Sequence, residues 1–165
     1  MNLDRIQQLI DTGRLDAARP ITLQALHAAG IENLQDGVKI LARGGRALTS
    51  RVHIQATQFS AQARDRIEAL GGVAVAVYHT GLGLRALARP QWFMRRHGAL
   101  PRFAAPVKHR DRLFYSDPEQ RGYLVPELWA KCVAADPAFA QRYVHAAPVP
   151  VPEPPLTFRE FLAQK

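Results

Sequence analysis

The sequence predicts an α/β fold: an irregular, layered β-β-α domain with an extended, basic, proline-containing C-terminal arm and short helices. Helical apolar spacing alternates with short β-branched runs before Arg85, whereas eleven of the twelve prolines follow it. The 165 residues, 47% of them hydrophobic, suffice for one ordinary domain with extensions. We therefore predict a compact α/β domain over 1–84, a basic extended arm over 85–125, and short helices, a proline-rich spacer and a terminal helix over 126–165.

Two amphipathic helices open the compact domain. Asn2 can cap a first helix that ends near Gly13, and its apolar residues recur with helical spacing. Thr22 can cap a second, shorter helix that stops at Gly30. Each prediction rests on a polar cap before the apolar face and a glycine after it.

Two β-rich stretches follow the helices. Val38–Leu41 and Val52–Thr57 are separated by a basic segment that contains two glycines. This spacing is typical of a hairpin, so we predict that the two strands pair with each other.

A helix and a buried strand complete the domain. Ser60 can cap a helix that ends at Gly71, and Arg64 and Glu68 are placed to form an ion pair on its solvent-exposed face. The run Val73–Tyr78 is apolar on both faces, as a strand buried within layers would be.

The next stretch contains a glycine pattern found in dinucleotide-binding turns. Gly81–Ala86 reads G-x-G-x-x-A directly after the predicted strand. A nicotinamide-type site would also need a long crossover helix and an acid about 20 residues on. Pro90 interrupts that helix and no acid precedes Asp111. We therefore predict a glycine turn leading into the arm, with no cofactor.

The arm concentrates positive charge. Between Arg85 and Arg112 there are eight basic residues and one acid, Asp111, so the segment carries a net charge of +7 (8 − 1). Arginines outnumber lysines 18 to 4 in the whole chain, and guanidinium groups can bind phosphate in bidentate geometry and stack on bases. Interleaved aromatic residues, Trp92 and Phe93 among them, could stack on unpaired bases. The prolines favour an extended path.

The last region contains helix starts and a stiff spacer. Pro126 and Pro137 can each occupy the first position of a short helix. Pro148–Pro155 is typical of a polyproline spacer. Thr157 and Glu160 then form a capping box, and the following helix would present Phe158, Phe161 and Leu162 as a docking face.

Composition excludes several classes of function. Cys132 stands alone, which rules out an internal disulfide, and the six histidines lack metal-ligand spacing. No G-x-S-x-G or P-loop sequence is present. We predict no catalytic residue, no metal, no cofactor and no small-molecule substrate.

The net charge of +8 and the pI near 10.4 favour nucleic acid as a partner first and an anionic membrane surface second. No apolar run is long enough to span a bilayer, and the first residues do not resemble a signal or transit peptide.

Residues 20–72 resemble the C-terminal domain of the large-subunit ribosomal protein fifteen family. The matching pieces are ITLQALHAAGI, DGVKILARGG and RVHIQATQFSAQARDRIEALGG, in the family's order and spacing. The continuation VAVAVYHTGLGLRALARP and the later SDPEQRGYLVPE resemble the fungal mitochondrial branch.

This resemblance implies a fold like that of ribosomal proteins fifteen and eighteen-e, and a structural, non-enzymatic role in the large ribosomal subunit. The implied location is the mitochondrion, with a cytoplasmic or other organellar ribosome as the alternative. The implied partners are ribosomal RNA and neighbouring ribosomal proteins, and Trp92 and Phe93 are candidates for stacking. The candidate RNA-binding residues are Arg43, Arg46, Arg51, Arg85, Arg89, Arg95, Arg96, Arg102, Lys108, Arg110 and Arg112.

One departure from the family and one alternative function stay open. Family members carry a glycine- and arginine-rich N-terminal arm, whereas this sequence starts almost at the folded domain. If that arm is absent, the C-terminal basic arm must carry more of the binding. The alternative is a non-ribosomal adaptor or assembly factor that uses the basic arm and the proline-rich tail to dock partners.

Overall fold

Short strands and helices are interspersed up to Ala76, and in the described part of the chain only helices follow. A computed structural model describes residues 1–32, 34 and 36–143. The predicted proline-rich spacer and terminal helix lie outside these residues. The strands are β1 (Lys39–Ile40), β2 (His53–Ala56), β3 (Gln58–Phe59) and β4 (Val73–Ala76), and a 3₁₀ turn spans Gly45–Ala47. The helices are α1 (Leu3–Asp11), α2 (Leu23–Ala28), α3 (Ala61–Ala69), α4 (Gly81–Ala88), α5 (Pro90–His97), α6 (His109–Ser116), α7 (Pro126–Ala135) and α8 (Ala138–Arg142).

The strands pair in parallel, so the predicted hairpin is wrong. β1 pairs with β3, and β2 pairs with β4 over four residues, from His53 beside Val73 to Ala56 beside Ala76. Isolated parallel bridges add Ile21 beside β2 and Gly122 beside β4. A parallel pair needs a crossover connection, and the connection from β2 to β4 runs through β3 and α3.

Thr57 explains why the two predicted strands do not face each other. It interrupts one extended stretch, so that β2 before it pairs with β4 and β3 after it pairs with β1. The Thr57 hydroxyl accepts a hydrogen bond from the Val38 amide at 3.1 Å. Gly37 lies so close that a Cβ there would overlap the Thr57 hydroxyl. The strand therefore changes partner at a tight contact between Gly37 and Thr57.

The predicted helix boundaries are confirmed where caps were assigned. The Thr22 and Ser60 hydroxyls accept hydrogen bonds from the Ala25 and Ala63 amides at 3.2 and 3.4 Å. Asn2 occupies the N-cap position of α1 but makes no side-chain cap bond. Local capping chemistry thus sets the starts of α2 and α3.

One core joins the sheets to the helices packed on them. Ile54 from β2, Val75 from β4 and Ile67 from α3 are fully buried. The apolar face of α1 and the residues at the start of α2 join the same core. The same core continues into the later helices through Leu128 and Phe139, so one apolar interior extends across both parts of the described chain.

The predicted ion pair on α3 has a different partner. Glu68 accepts two hydrogen bonds from Arg121, at 2.5 and 2.9 Å, instead of pairing with Arg64. These bonds hold the pKa of the Glu68 carboxyl below its usual value. Arg121, at a left-handed φ of 55°, directly precedes the residue that bridges to β4, so the pair fastens residues 118–123 to α3.

The glycine pattern forms a helix, so the predicted glycine turn is wrong. Thr80 caps α4 by accepting a hydrogen bond from the Gly83 amide at 3.2 Å. Gly83 is buried, and a Cβ there would lie 2.9 Å from the Phe103 ring. Close helix packing, not a phosphate-binding turn, accounts for this glycine. The helix ends at Ala88 and is followed by a second helix where a dinucleotide-binding unit would have a strand.

Helices α4, α5 and α6 take up about half of the basic arm, which corrects the prediction that the arm is extended throughout. Pro90 begins α5, since proline is compatible with a first helical turn. Gly98, at φ 69°, ends that helix. Residues 98–108 form no helix or strand, and α6 follows them. The prolines limit helix length here without preventing helices.

Aromatic side chains hold the described C-terminal part on the sheet. Tyr123 is fully buried and its ring lies 5.6 Å from that of Tyr143 and 6.4 Å from that of Phe139. The predicted helix start at Pro126 is confirmed, and Pro137 is the N-cap of α8. Cys132 is buried in α7, and burial raises the pKa of its thiol to about 12, so it is an inert apolar residue.

His79 makes the stability of this cluster depend on pH. Its Nδ1 lies 3.2 Å from the Val77 carbonyl and its Nε2 lies 2.8 Å from the Tyr143 hydroxyl, so a neutral ring can donate to the first and accept from the second. Burial lowers the pKa of His79 from 6.5 to about 4. The unfolded chain therefore binds a proton on this residue before the folded chain does.

We expect the free energy of unfolding to fall as the pH drops from 6.5 towards 4, by up to about 1.4 kcal/mol per pH unit from this residue. Below about pH 4 the contribution of His79 to the slope should vanish, because this residue is then protonated in both states. Urea unfolding of the wild type and of His79→Gln between pH 7 and pH 4 measures how the free energy of unfolding changes with pH. Gln can accept from Tyr143 but does not titrate, so an identical pH slope in both proteins would contradict the prediction.

Candidate nucleic-acid interface

The first group of predicted RNA-binding residues lies on one loop between β1 and β2. We call residues 42–51 the basic loop. Arg43, Arg46 and Arg51 are exposed on it, whereas Leu48 is fully buried and anchors the loop to the core. The sequence between the predicted strands thus forms a structured loop with three cations on its outside.

The start of α1 fixes one side of the basic loop. Gly44 has a left-handed φ of 69°, and a Cβ there would overlap the side chain of Asp4. The Asp4 amide donates to the Arg43 carbonyl at 3.4 Å. A glycine is required at this position both by its φ and by the close approach of α1.

Arg66 fixes the basic loop from α3. Its Nε donates to the Gly45 carbonyl at 2.7 Å and one Nη donates to the Leu48 carbonyl at 2.8 Å. Two bonds from one planar guanidinium fix both ends of the 3₁₀ turn. Arg66 therefore positions the loop cations from within the fold.

Gln7 fixes the end of the loop from the middle of α1. Its Oε1 accepts hydrogen bonds from the Thr49 and Ser50 amides at 3.1 and 3.3 Å, and its Nε2 donates to Asp11 at 2.7 Å. Gln7 is only 7% exposed. Sequence reasoning missed both Gln7 and Arg66. A glutamine at a position spaced with the apolar face of α1 was the one available signal for Gln7.

The second group of predicted residues follows α4, α5 and α6. We call residues 85–112 the basic segment. Arg85 lies on α4, Arg95 and Arg96 lie at the end of α5, and Arg110 and Arg112 lie on α6. The three others lie between the helices: Arg89, Arg102 and Lys108. All eight side chains are exposed.

The predicted cations differ from the other arginines in how they are used. Arg121 and Arg142 form ion pairs with Glu68 and Asp136, and Arg66 is bonded to backbone carbonyls. Within residues 1–32, 34 and 36–143, none of the eleven predicted cations is in an ion pair. Their charges are available to an external anion, while the paired arginines stabilise the fold.

The two candidate stacking residues have different environments. Phe93 is 7% exposed and packs inward, so its ring is not presented to an unpaired base. Trp92 is 48% exposed, and the Arg96 guanidinium lies 5.4 Å from its ring centroid. Trp92 therefore presents aromatic surface together with a cation.

The structure does not bring all eleven cations into one cluster. The basic loop packs against α1 and is bonded to α3, whereas the basic segment reaches the domain where α4 packs on α2. The arrangement offers a rigid loop and a longer helical segment as two separate candidates for phosphate contact. In the described part of the chain, no group of three or more His, Cys, Asp or Glu side chains could hold a metal ion. No described helix is long and apolar enough to cross a membrane.

A small α/β domain with exposed arginines on a braced loop has the charge and geometry that are typical of polyanion-binding domains. Residues 1–75 match the family model of ribosomal proteins 50S-L15 and 50S-L18e and their 60S counterpart. This part of the chain is similar to that ribosomal protein family, so the resemblance identified in the sequence is confirmed.

Relatives extend the match beyond the domain. The large ribosomal subunit protein uL15m of Schizosaccharomyces pombe is 33% identical over 125 residues, which cover 75% of this chain and 48% of that protein. The uL15m protein of Danio rerio is 30% identical over 154 residues, 90% of this chain and 51% of that protein. The uL15 protein of Methylobacterium radiotolerans is 40% identical over 86 residues, 52% of this chain and 50% of that protein. The chain thus spans about half the length of these curated relatives.

Proposed function

We propose that this chain is a structural constituent of the large ribosomal subunit, where it binds ribosomal RNA and contacts neighbouring ribosomal proteins. The observation that carries the proposal is the state of the predicted cations, which are exposed and free of ion pairs among the described residues. Exposed arginines whose charge is not neutralised by a carboxylate are suited to phosphate groups. The match to a ribosomal protein family indicates that these phosphates belong to ribosomal RNA.

The basic loop is the better defined of the two proposed contacts. Because Arg66 and Gln7 hold its backbone, Arg43, Arg46 and Arg51 lose little loop entropy on binding. The basic segment supplies further phosphate contacts, and the exposed Trp92 is a candidate for stacking there. In this role the chain positions RNA and has no catalytic function.

The proposed location is the mitochondrial ribosome. The bacterial relative matches about half of this chain, whereas the mitochondrial relatives match 75% and 90% of it. The longer matches cannot be contained in the family domain of residues 1–75 and must extend into the region after it. Similarity beyond the family domain therefore favours the mitochondrial branch.

Gradient sedimentation of the tagged chain from its source cells, with purified mitochondria as one sample, tests the proposal. We expect co-migration with the large ribosomal subunit at low salt and release after ribonuclease treatment. Sedimentation as a free protein, indifferent to ribonuclease, would overturn the proposal in favour of the adaptor hypothesis. A chain truncated after Ala147 then tests that hypothesis, since an adaptor that docks through its tail would lose its partner.

Replacing Arg95 and Arg96 with alanine should weaken binding to a large-subunit RNA fragment and flatten its salt dependence. Each lost phosphate contact should reduce the slope of log K against log salt by up to about 0.9. Both residues are exposed, so the thermal unfolding midpoint should stay nearly unchanged. Filter binding at several salt concentrations measures the slope.

A matched control separates a local contact from an effect of net charge. Arg5→Ala with Arg19→Ala removes two exposed charges from outside the predicted set. The control should bind nearly as the wild type does. Equal losses in both double variants would argue that overall charge, and not this part of α5, determines binding.

A further inference from the structure

A groove of about 800 Å³ lies between the segment after α2 and the pair of helices α4 and α5. Its floor is apolar, with Leu34, Leu84 and Phe93 each less than a tenth exposed. Leu82 and Trp92 line its rim and are 47% and 48% exposed. For the described residues, this places large apolar side chains around an open concave surface.

The charges around the groove favour a peptide over an RNA strand. Glu32 and Asp36 stand on one wall, and Arg85 and Arg89 on the other. None of these four is in an ion pair within residues 1–32, 34 and 36–143. The two carboxylates would repel a phosphate backbone, whereas opposite charges beside an apolar floor complement an amphipathic segment of mixed charge.

The chain's own C-terminal segment has that chemistry. Residues 157–164 carry Phe158, Phe161 and Leu162 at spacings that share one helical face. Arg159 lies on the flank of that face, where it could meet the acidic wall. Neither the domain nor the proposed RNA contacts account for this pattern.

The end of the described chain places the segment within reach. The Tyr143 hydroxyl lies 2.8 Å from His79, and α4, which lines the groove, begins two residues after His79. Residues 144–156 can span up to ~40 Å when extended. Helix α4 is only ~12 Å long at 1.5 Å per residue. The linker is therefore long enough to carry the segment around α4.

We propose that residues 157–164 dock into this groove as an amphipathic helix, with Phe158, Phe161 and Leu162 on Leu82 and Trp92 and with Arg159 against Glu32 and Asp36. The contact is intramolecular, so the short linker gives it a high effective concentration. It covers the exposed apolar surface of α4 and α5, so the docked segment and an RNA base would compete for the ring of Trp92.

Fluorescence quenching of Trp92 by acrylamide tests the docking in the full chain. Trp129→Phe leaves Trp92 as the single tryptophan. In this background, Phe158→Ser with Phe161→Ser should raise the quenching constant of Trp92 at least about twofold. Val151→Ser, in the proline-rich spacer, is the matched control and should leave it unchanged. Circular dichroism checks that each variant is folded.

Exchanging the charges of Arg159 and of the Glu32 and Asp36 pair tests the orientation of the docked helix in the groove. Arg159→Glu should raise quenching as the phenylalanine variant does, and adding Glu32→Arg and Asp36→Arg should lower it again. Equal quenching of Trp92 in the Trp129→Phe parent and in the phenylalanine variant would overturn the proposal. Protection of Trp92 by an RNA fragment, to the same extent in both proteins, would overturn it too and assign the groove to RNA.

Discussion

Replacing Arg43, Arg46 and Arg51 together with alanine is expected to lower the affinity for a large-subunit RNA fragment by on the order of 100-fold. Hydrogen bonds to charged groups each contribute about 1.5–3 kcal/mol, and contacts on one loop are not additive. The salt slope should fall by about 2–3, because three phosphate contacts are lost. Electrophoretic mobility shift over a salt series gives both quantities.

The rigidity of the basic loop predicts a second, distinguishable effect. Gln7→Ala keeps all three cations but removes the acceptor of the Thr49 and Ser50 amides. We expect a smaller loss of affinity with an unchanged salt slope, because the charges remain while the loop must be ordered on binding. If the triple arginine variant matched the wild type in both affinity and slope, the basic loop would not be an RNA contact.

Tyr123→Ala is expected to destabilise the folded chain by about 3–5 kcal/mol, within the range for truncating a large buried aromatic residue. Tyr123 is fully buried, and its ring lies 5.9 Å from that of Tyr115 and 6.2 Å from that of Trp129. Its amide also donates to the Ala76 carbonyl of β4 at 2.9 Å. Truncation therefore opens a cavity where residues 115–143 join the sheet, and urea unfolding measures the loss.

Tyr123→Phe is the matched control for the ring. The Tyr123 hydroxyl is buried and has no hydrogen-bond partner among the described residues. Its removal relieves an unsatisfied polar group, so we expect stability equal to or slightly above that of the wild type. A loss in Tyr123→Phe as large as in Tyr123→Ala would mean that the hydroxyl, and not the ring, holds the cluster.

Local chemistry explains why many elements could be predicted from sequence. A cap such as Thr22 or Ser60 acts on an amide three residues away, so the helix start is encoded within one turn. Pro126 acts on its own backbone and begins α7. The position of the basic segment also follows directly from the order of residues, since charge density needs no fold to be recognised.

The candidate interface needed the tertiary structure. Sequence predicted Arg43, Arg46 and Arg51 as cations but did not reveal what positions them. Gln7 contacts the basic loop from more than forty residues away, and Arg66 contacts it from α3. Such contacts depend on which helices pack beside the loop. The spacing of side chains along the sequence does not indicate that packing.

The sequence by itself determined the class of the fold, the starts of the capped helices, the location of β1, β2 and β4 and the excess of positive charge. Tertiary structure decided which strands pair, since Thr57 divides one extended stretch between two partners. It also decided that Glu68 pairs with Arg121 and that Gly83 packs against Phe103 within a helix. The reason is one of range: propensity and capping act within a few residues, whereas pairing and packing are settled by long-range burial of apolar surface.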